Sequence, residues 1–157
     1  MRWTGLLGAL CAAALIAAGC NEEPEGLACG ELKPGKRPAT GDLDGSLVIS
    51  PGTIAPGGKV RYRVKNEGAV DLAYGADVRA DRMHDGGWVS AEKQIFEGRN
   101  GVIAIGYGAA PGELGARETL LLPEDVDSGT YRLRKTVSDR LRAGGPKLGV
   151  CDVFEVA

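Results

Sequence analysis

Few side chains in this sequence have the type and spacing to do chemistry. The single histidine, His84, sits in Met83-His84-Asp85-Gly86, and a hydrolytic triad would have to draw its base from that turn. No Gly-x-Ser-x-Gly elbow marks a nucleophile to go with it, so a solvated turn histidine is the better reading. Glu124, Asp125 and Asp127 could act as the paired carboxylates of an accessory envelope hydrolase, but they fall in a strand-to-strand loop, where solvated turn residues are the ordinary outcome. Asp42-Leu43-Asp44-Gly45-Ser46 begins like a calcium loop. Its sixth position is Leu47 and its twelfth is Thr53, where that loop requires Gly and a bidentate Glu. Gly106-Tyr107-Gly108-Ala109-Ala110-Pro111 ends in Pro where a dinucleotide fingerprint needs Gly or Ala. The expectation is a non-enzymatic chain with no metal and no cofactor.

Cysteine is the exception. The chain holds four, at 11, 20, 29 and 151. Met1-Arg2-Trp3-Thr4 supplies one positive charge, and Gly5 to Ala18 are all small or apolar, which is the core of a signal peptide. A spanning helix needs about 20 apolar residues, and Asn21-Glu22-Glu23 ends this run short of that. Leu15-Ile16-Ala17-Ala18-Gly19-Cys20 resembles the bacterial lipobox, in which small residues give a peptidase access to the backbone before an acylated cysteine. What that resemblance implies is a leader over residues 1–19, lipidation of Cys20 (palmitate among the acyl chains), and an exported protein anchored to the cell membrane, or to the outer membrane in a diderm cell. Each buried methylene of an acyl chain contributes about 0.8 kcal/mol, so two or three chains make such an anchor permanent.

With Cys11 in the leader and Cys20 lipidated, Cys29 and Cys151 remain as one pair in an oxidising compartment, and a disulfide between them is expected. Residues 20–45, rich in Glu, Pro and Gly with little to bury, read as the lipidated end and a flexible tether. The bond would pin that tether to the last strand.

These residues need a scaffold. The chain of 157 residues carries 25 Gly and 8 Pro, and no long run of helix formers, so residues 46–157 read as short strands joined by turns. Val60, Tyr62 and Val64 alternate with Arg61, Arg63 and Lys65, the period of a half-buried strand. Leu72 to Arg82 reads as a strand interrupted at Tyr74-Gly75, and Asp85-Gly86-Gly87 turns into Trp88-Val89. Further apolar runs are expected at Gly101 to Tyr107 and Glu118 to Leu122. In the strand opened by Asp127-Ser128-Gly129-Thr130, Tyr131, Leu133 and Val137 face inward and Arg132 and Arg134 outward. The Tyr131 hydroxyl is expected to bond nearby backbone, as in a tyrosine corner. In the last strand, Phe154 and Val156 share one face and Cys151, Val153 and Glu155 the other. The pattern is all-β: an antiparallel sandwich of about seven strands, with no helix of note.

Asn66, Tyr74-Gly75, Trp88 and Asp127-Ser128-Gly129-Thr130-Tyr131-Arg132, in that order and at these distances, resemble the bacterial immunoglobulin-like domain family. The resemblance covers about Ser46 to Ala157, and it makes Asn66, Tyr74, Gly75, Trp88, Gly129 and Tyr131 structural signature residues of an immunoglobulin-like sandwich. The long glycine-rich stretch from Gly98 to Gly115 and the basic segment from Arg140 to Lys147 depart from it.

The formal net charge of −2 is too mild to imply a nucleic-acid partner. Arg132, Arg134, Lys135, Arg140, Arg142 and Lys147 could meet anionic lipid or cell-wall polymer, although a solvated face is the preferred expectation. Residues 1–19 contain one of the eight aromatic residues among Phe, Trp and Tyr, at Trp3, and at least four of the other seven are needed for the core, leaving few for a sugar-stacking platform. The expected function is a membrane-anchored, non-catalytic binding module whose partner is an envelope protein or cell-wall polymer. The rival expectation is a structural envelope protein without a small ligand.

Overall fold

The computed structural model describes residues 26–35, 42–96 and 105–157. Eleven strands and one short helix follow in chain order: β1 (Leu32–Lys33), β2 (Gly45–Ser50), β3 (Thr53–Ile54), β4 (Lys59–Asn66), β5 (Leu72–Gly75), β6 (Arg79–His84), β7 (Gly87–Ser90), α1 (Glu92–Phe96), β8 (Gly106–Ala109), β9 (Glu118–Leu121), β10 (Gly129–Asp139) and β11 (Lys147–Val156). They form two sheets, one of three strands in the order β2-β4-β9 and one of eight. The architecture is the all-β sandwich expected from the alternation of side chains.

The larger sheet is organised by β10. One edge of β10 pairs antiparallel with β11 from Gly129 to Ser138; the other is shared, Tyr131 to Arg134 pairing with β6 and Val137 to Asp139 with β5. The anticipated interruption at Tyr74-Gly75 therefore falls where two partners succeed one another along one long strand. β5 pairs on with β8, and β6 with β7 through the two-residue turn Asp85-Gly86. The chain leaves the smaller sheet at Ser50, passes a cis Ser50–Pro51 bond, and joins the larger one at Thr53, where β3 runs parallel to the end of β11.

Both layers alternate. Val60, Tyr62 and Val64 of β4 point inward against Tyr131, Leu133 and Val137 of β10 and Val150, Phe154 and Val156 of β11, all buried. Four aromatic residues, Tyr62, Tyr74, Tyr131 and Phe154, fill this core, and Tyr131 and Phe154 stack with centroids 5.7 Å apart. Burial of such rings is the main source of cohesion in a sandwich with few aromatic residues.

Three expectations are corrected. A single-turn helix, α1, follows β7; its Ile95 is 1% exposed and packs into the core, which the absence of a helical repeat in so short a segment concealed. Part of the stretch expected to be flexible is ordered. Residues 28–33 run antiparallel along β11, with Gly30 donating to the Gly149 carbonyl at 2.8 Å and Gly149 donating to Glu31 at 2.9 Å. This approach is so close that a Cβ on Gly149 would overlap the Ala28 carbonyl oxygen. Of the apolar run expected at Gly101 to Tyr107, Val102 and Ile103 lie outside the described residues, and the strand there is Gly106–Ala109. The leader and Cys20 also lie outside the described residues.

Candidate functional site

The signature residues hold the sandwich together. Asn66 ends β4 fully buried and uses its whole amide: Nδ2 donates to the carbonyls of Val70 (2.7 Å) and Ala109 (2.9 Å), and Oδ1 accepts from Gly68 N–H (3.0 Å). The bond to Ala109 reaches β8, so one side chain ties the two layers. Tyr131 donates its hydroxyl proton to the carbonyl of Asp127, four residues upstream, at 2.9 Å, and Gln94 of α1 lies 3.2 Å away. This is the corner anticipated for that residue. Its ring sits beneath the Arg82 guanidinium, which pairs with Asp127 at 2.7 Å. Tyr74 is buried against Tyr107, and its hydroxyl fills the space that a Cβ on Gly115 would take, which accounts for one glycine of the unusual glycine-rich stretch. Burial raises the pKa of both Tyr74 and Tyr131 above the ordinary phenol value.

Two charged clusters replace the solvated basic face expected on β10. Asp81 of β6 is fully buried, and its carboxylate accepts from Arg132 Nε at 2.7 Å and from Arg134 at 2.6 Å (Nε) and 3.1 Å (Nη2). Arg134, 3% exposed, also donates to the Leu27 carbonyl at 2.9 Å, so the amino-terminal segment roofs this cluster. The Arg132 guanidinium lies 4.5 Å from the centre of the half-buried Trp88 ring, a cation–π contact that assigns this signature residue its place.

The second cluster is inside the sandwich. Lys135 of β10 points inward with Leu133 and Val137, and its Nζ meets Glu118 Oε2 of β9 at 2.9 Å, both nearly inaccessible to water. The rings of Tyr62 and Tyr74 each lie 5.5 Å from the ammonium. Burial pushes the Glu118 carboxyl up and the Lys135 ammonium down, each opposed by the bond to its partner. Sequence alone could not place these cations, because their partners lie 53 and 17 residues away on other strands.

Cys29 and Cys151 are joined, with Cα atoms 5.5 Å apart and a sequence separation of 122. Cys151 faces outward from β11, as the phase of that strand requires, and Arg132 Nη1 lies 3.7 Å from Cys29 Sγ.

The residues first considered for catalysis are not brought together. His84 is exposed at the β6–β7 turn, 3.3 Å from Asp85, while Glu124 and Asp125 are exposed in the loop after β9. An open furrow of about 540 Å³ lies where β5 and β8 meet β10, lined by Tyr74, Asp77, Tyr107, Thr136, Ser138 and Lys147 among others. Its hydroxyls and the ammonium can donate hydrogen bonds and its rings can cover a small polar ligand.

The family described as bacterial Ig-like domain matches residues 51–147, more than half of the chain. Among curated proteins none matches.

Proposed function

Because the chain belongs to the bacterial Ig-like domain family, we propose that it is a non-catalytic interaction module held at a membrane by acyl chains on Cys20. Such domains act as interaction or structural units, and here the charged side chains of β6, β9 and β10 are engaged with one another. The observation that carries the anchored reading is the Cys29–Cys151 bond. A disulfide belongs to an oxidising compartment, which an exported protein reaches. It also fixes the point at which the chain leaves the sandwich, nine residues from Cys20, a leash of about 30 Å when fully extended. The domain would then work close to the membrane that holds it.

The test is mass spectrometry of the amino-terminal peptide from protein made in a bacterial host, with fractionation of the Cys20→Ala variant. Acyl mass on Cys20, and its loss together with membrane association in the variant, are the expected results. A mature start at any other residue, or an unmodified Cys20, refutes the anchor.

A further inference from the structure

The outer face of the three-stranded sheet carries an aligned row of cations. On β4 the outward residues are Lys59, Arg61, Arg63 and Lys65, and the antiparallel register carried on from Arg61 and Thr119 sets Arg117, just before β9, beside Arg63. Elsewhere several cations are met by acids: Arg79 by Glu92, Arg82 by Asp127, Arg132 and Arg134 by Asp81, Lys135 by Glu118, Arg142 by Asp139. On this face Glu67, beside Lys65 at 3.1 Å, is the one acid in an ion pair among the described residues, and Arg63 is held by the carbonyl of Gly115 at 2.9 Å, which leaves its charge uncancelled. The flanking outward positions are uncharged: Ser46, Val48 and Ser50 on β2, Thr119 and Leu121 on β9.

We propose that this stripe is a binding track for a linear polyol-phosphate polymer, in which phosphodiesters alternate with short uncharged linkers. The four cations of β4 repeat every second residue, roughly 6.5 to 7 Å apart, over roughly 20 Å. A straight, evenly spaced row suits a chain of single charges better than it suits a compact anion. Guanidinium groups at 61, 63 and 117 can each take two phosphate oxygens. The aromatic ring of β4, Tyr62, is buried on the opposite side, so the track offers no stacking platform for nucleobases. Position argues against a bilayer. The leash is fixed through Cys151 to the outer face of the large sheet, while the stripe occupies the outer face of the small one, on the far side of the sandwich. The envelope as the polymer's source rests on the proposed anchoring; the recognition itself does not.

The experiment measures binding of the purified protein, its disulfide intact, to deacylated poly(glycerol phosphate) across a salt series. Each neutralised phosphate contributes ~0.7 to the slope of log K against log salt for a single-stranded polyanion, so five cations predict a slope near −3.5. Lys59→Glu with Arg61→Glu is expected to weaken binding more than 10-fold and to flatten the slope by about 1.4, whereas Lys33→Glu, on the exposed β1, leaves both unchanged. Should the charge reversals disturb folding by circular dichroism, Arg61→Gln with Arg117→Gln serves instead. Absence of binding, binding indifferent to these substitutions, or equal affinity for poly-glutamate or oligo-thymidine overturns the proposal. So does tighter binding to phosphatidylglycerol vesicles through the same cations. None of these outcomes depends on whether Cys20 is acylated.

Discussion

Lys135 Nζ and Glu118 Oε2 meet at 2.9 Å in the centre of the sandwich, each projecting from a different sheet. A buried ion pair of this kind is weak evidence for stability, because removing both ions from water offsets most of their attraction. Glu118→Gln leaves the ammonium without a countercharge and should destabilise the domain by about 3 to 5 kcal/mol in urea unfolding. Replacing both, Lys135→Met with Glu118→Leu, should restore wild-type stability or exceed it by roughly 1 to 4 kcal/mol. A double variant less stable than Glu118→Gln alone would contradict this account.

Asp81 carries two guanidinium groups at once. Asp81→Asn keeps the shape and removes the charge, leaving Arg134 buried beside Arg132 with nothing to oppose them. Loss of about 3 to 5 kcal/mol is expected by the same unfolding measurement, together with faster proteolysis near Leu27, whose carbonyl Arg134 holds.

How much of this was legible beforehand can be judged residue by residue. The alternation of β4 was readable because its pattern is local: Val60, Tyr62 and Val64 need no distant partner to declare a face. The Tyr131 corner was readable for the same reason, its hydroxyl bonding only four residues back. The pairing of Cys29 with Cys151 followed from counting. The places of Arg134 and Lys135 are not legible, because a cation reads as solvated until its acid is known, and neither Asp81 nor Glu118 is near in sequence. The exposed row on β4, by contrast, is visible as the polar half of an alternating strand, but that Ser46, Val48, Ser50, Thr119 and Leu121 flank it without an acid depends on how the neighbouring strands register with it. Order in residues 28–33 was hidden because it comes from the facing backbone of β11 rather than from the segment's own side chains.

Removing the disulfide with Cys29→Ser and Cys151→Ser should lower stability by about 2 to 5 kcal/mol, the chain-entropy limit for so long a loop being about 5 kcal/mol. The core of the sandwich does not pass through this bond, so the double variant is expected to keep its sheet content by circular dichroism while the amino-terminal segment becomes accessible to protease. Non-reducing peptide mapping of the wild type checks the pairing directly; two alkylatable thiols would refute it.

Alkaline pH provides a further check. Burial raises the Tyr131 pKa, so the folded chain keeps this proton at pH values where the unfolded chain has released it. The folded state therefore binds more protons, and stability contributed by this group is present below pH ~10 and lost as pH rises beyond it. In Tyr131→Phe the decline should be shallower by up to about 1.4 kcal/mol per pH unit, against a starting loss of about 1 kcal/mol for the missing bond to Asp127. Identical pH profiles for the two proteins would refute the shift.

Strand β11 is the last of the described strands to be synthesised, yet β1, β3 and β10 all pair with it, and its Leu148, Val150, Phe154 and Val156 complete the core. A chain emerging amino-terminus first from a ribosome thus lacks the strand that joins β1 and β3 to β10 until residues 147–156 are free. Cys29 must wait through 122 residues of synthesis for its partner. The order of synthesis delays closure of the larger sheet until β11 is available, because its pairings with β1 and β3 span most of the described chain.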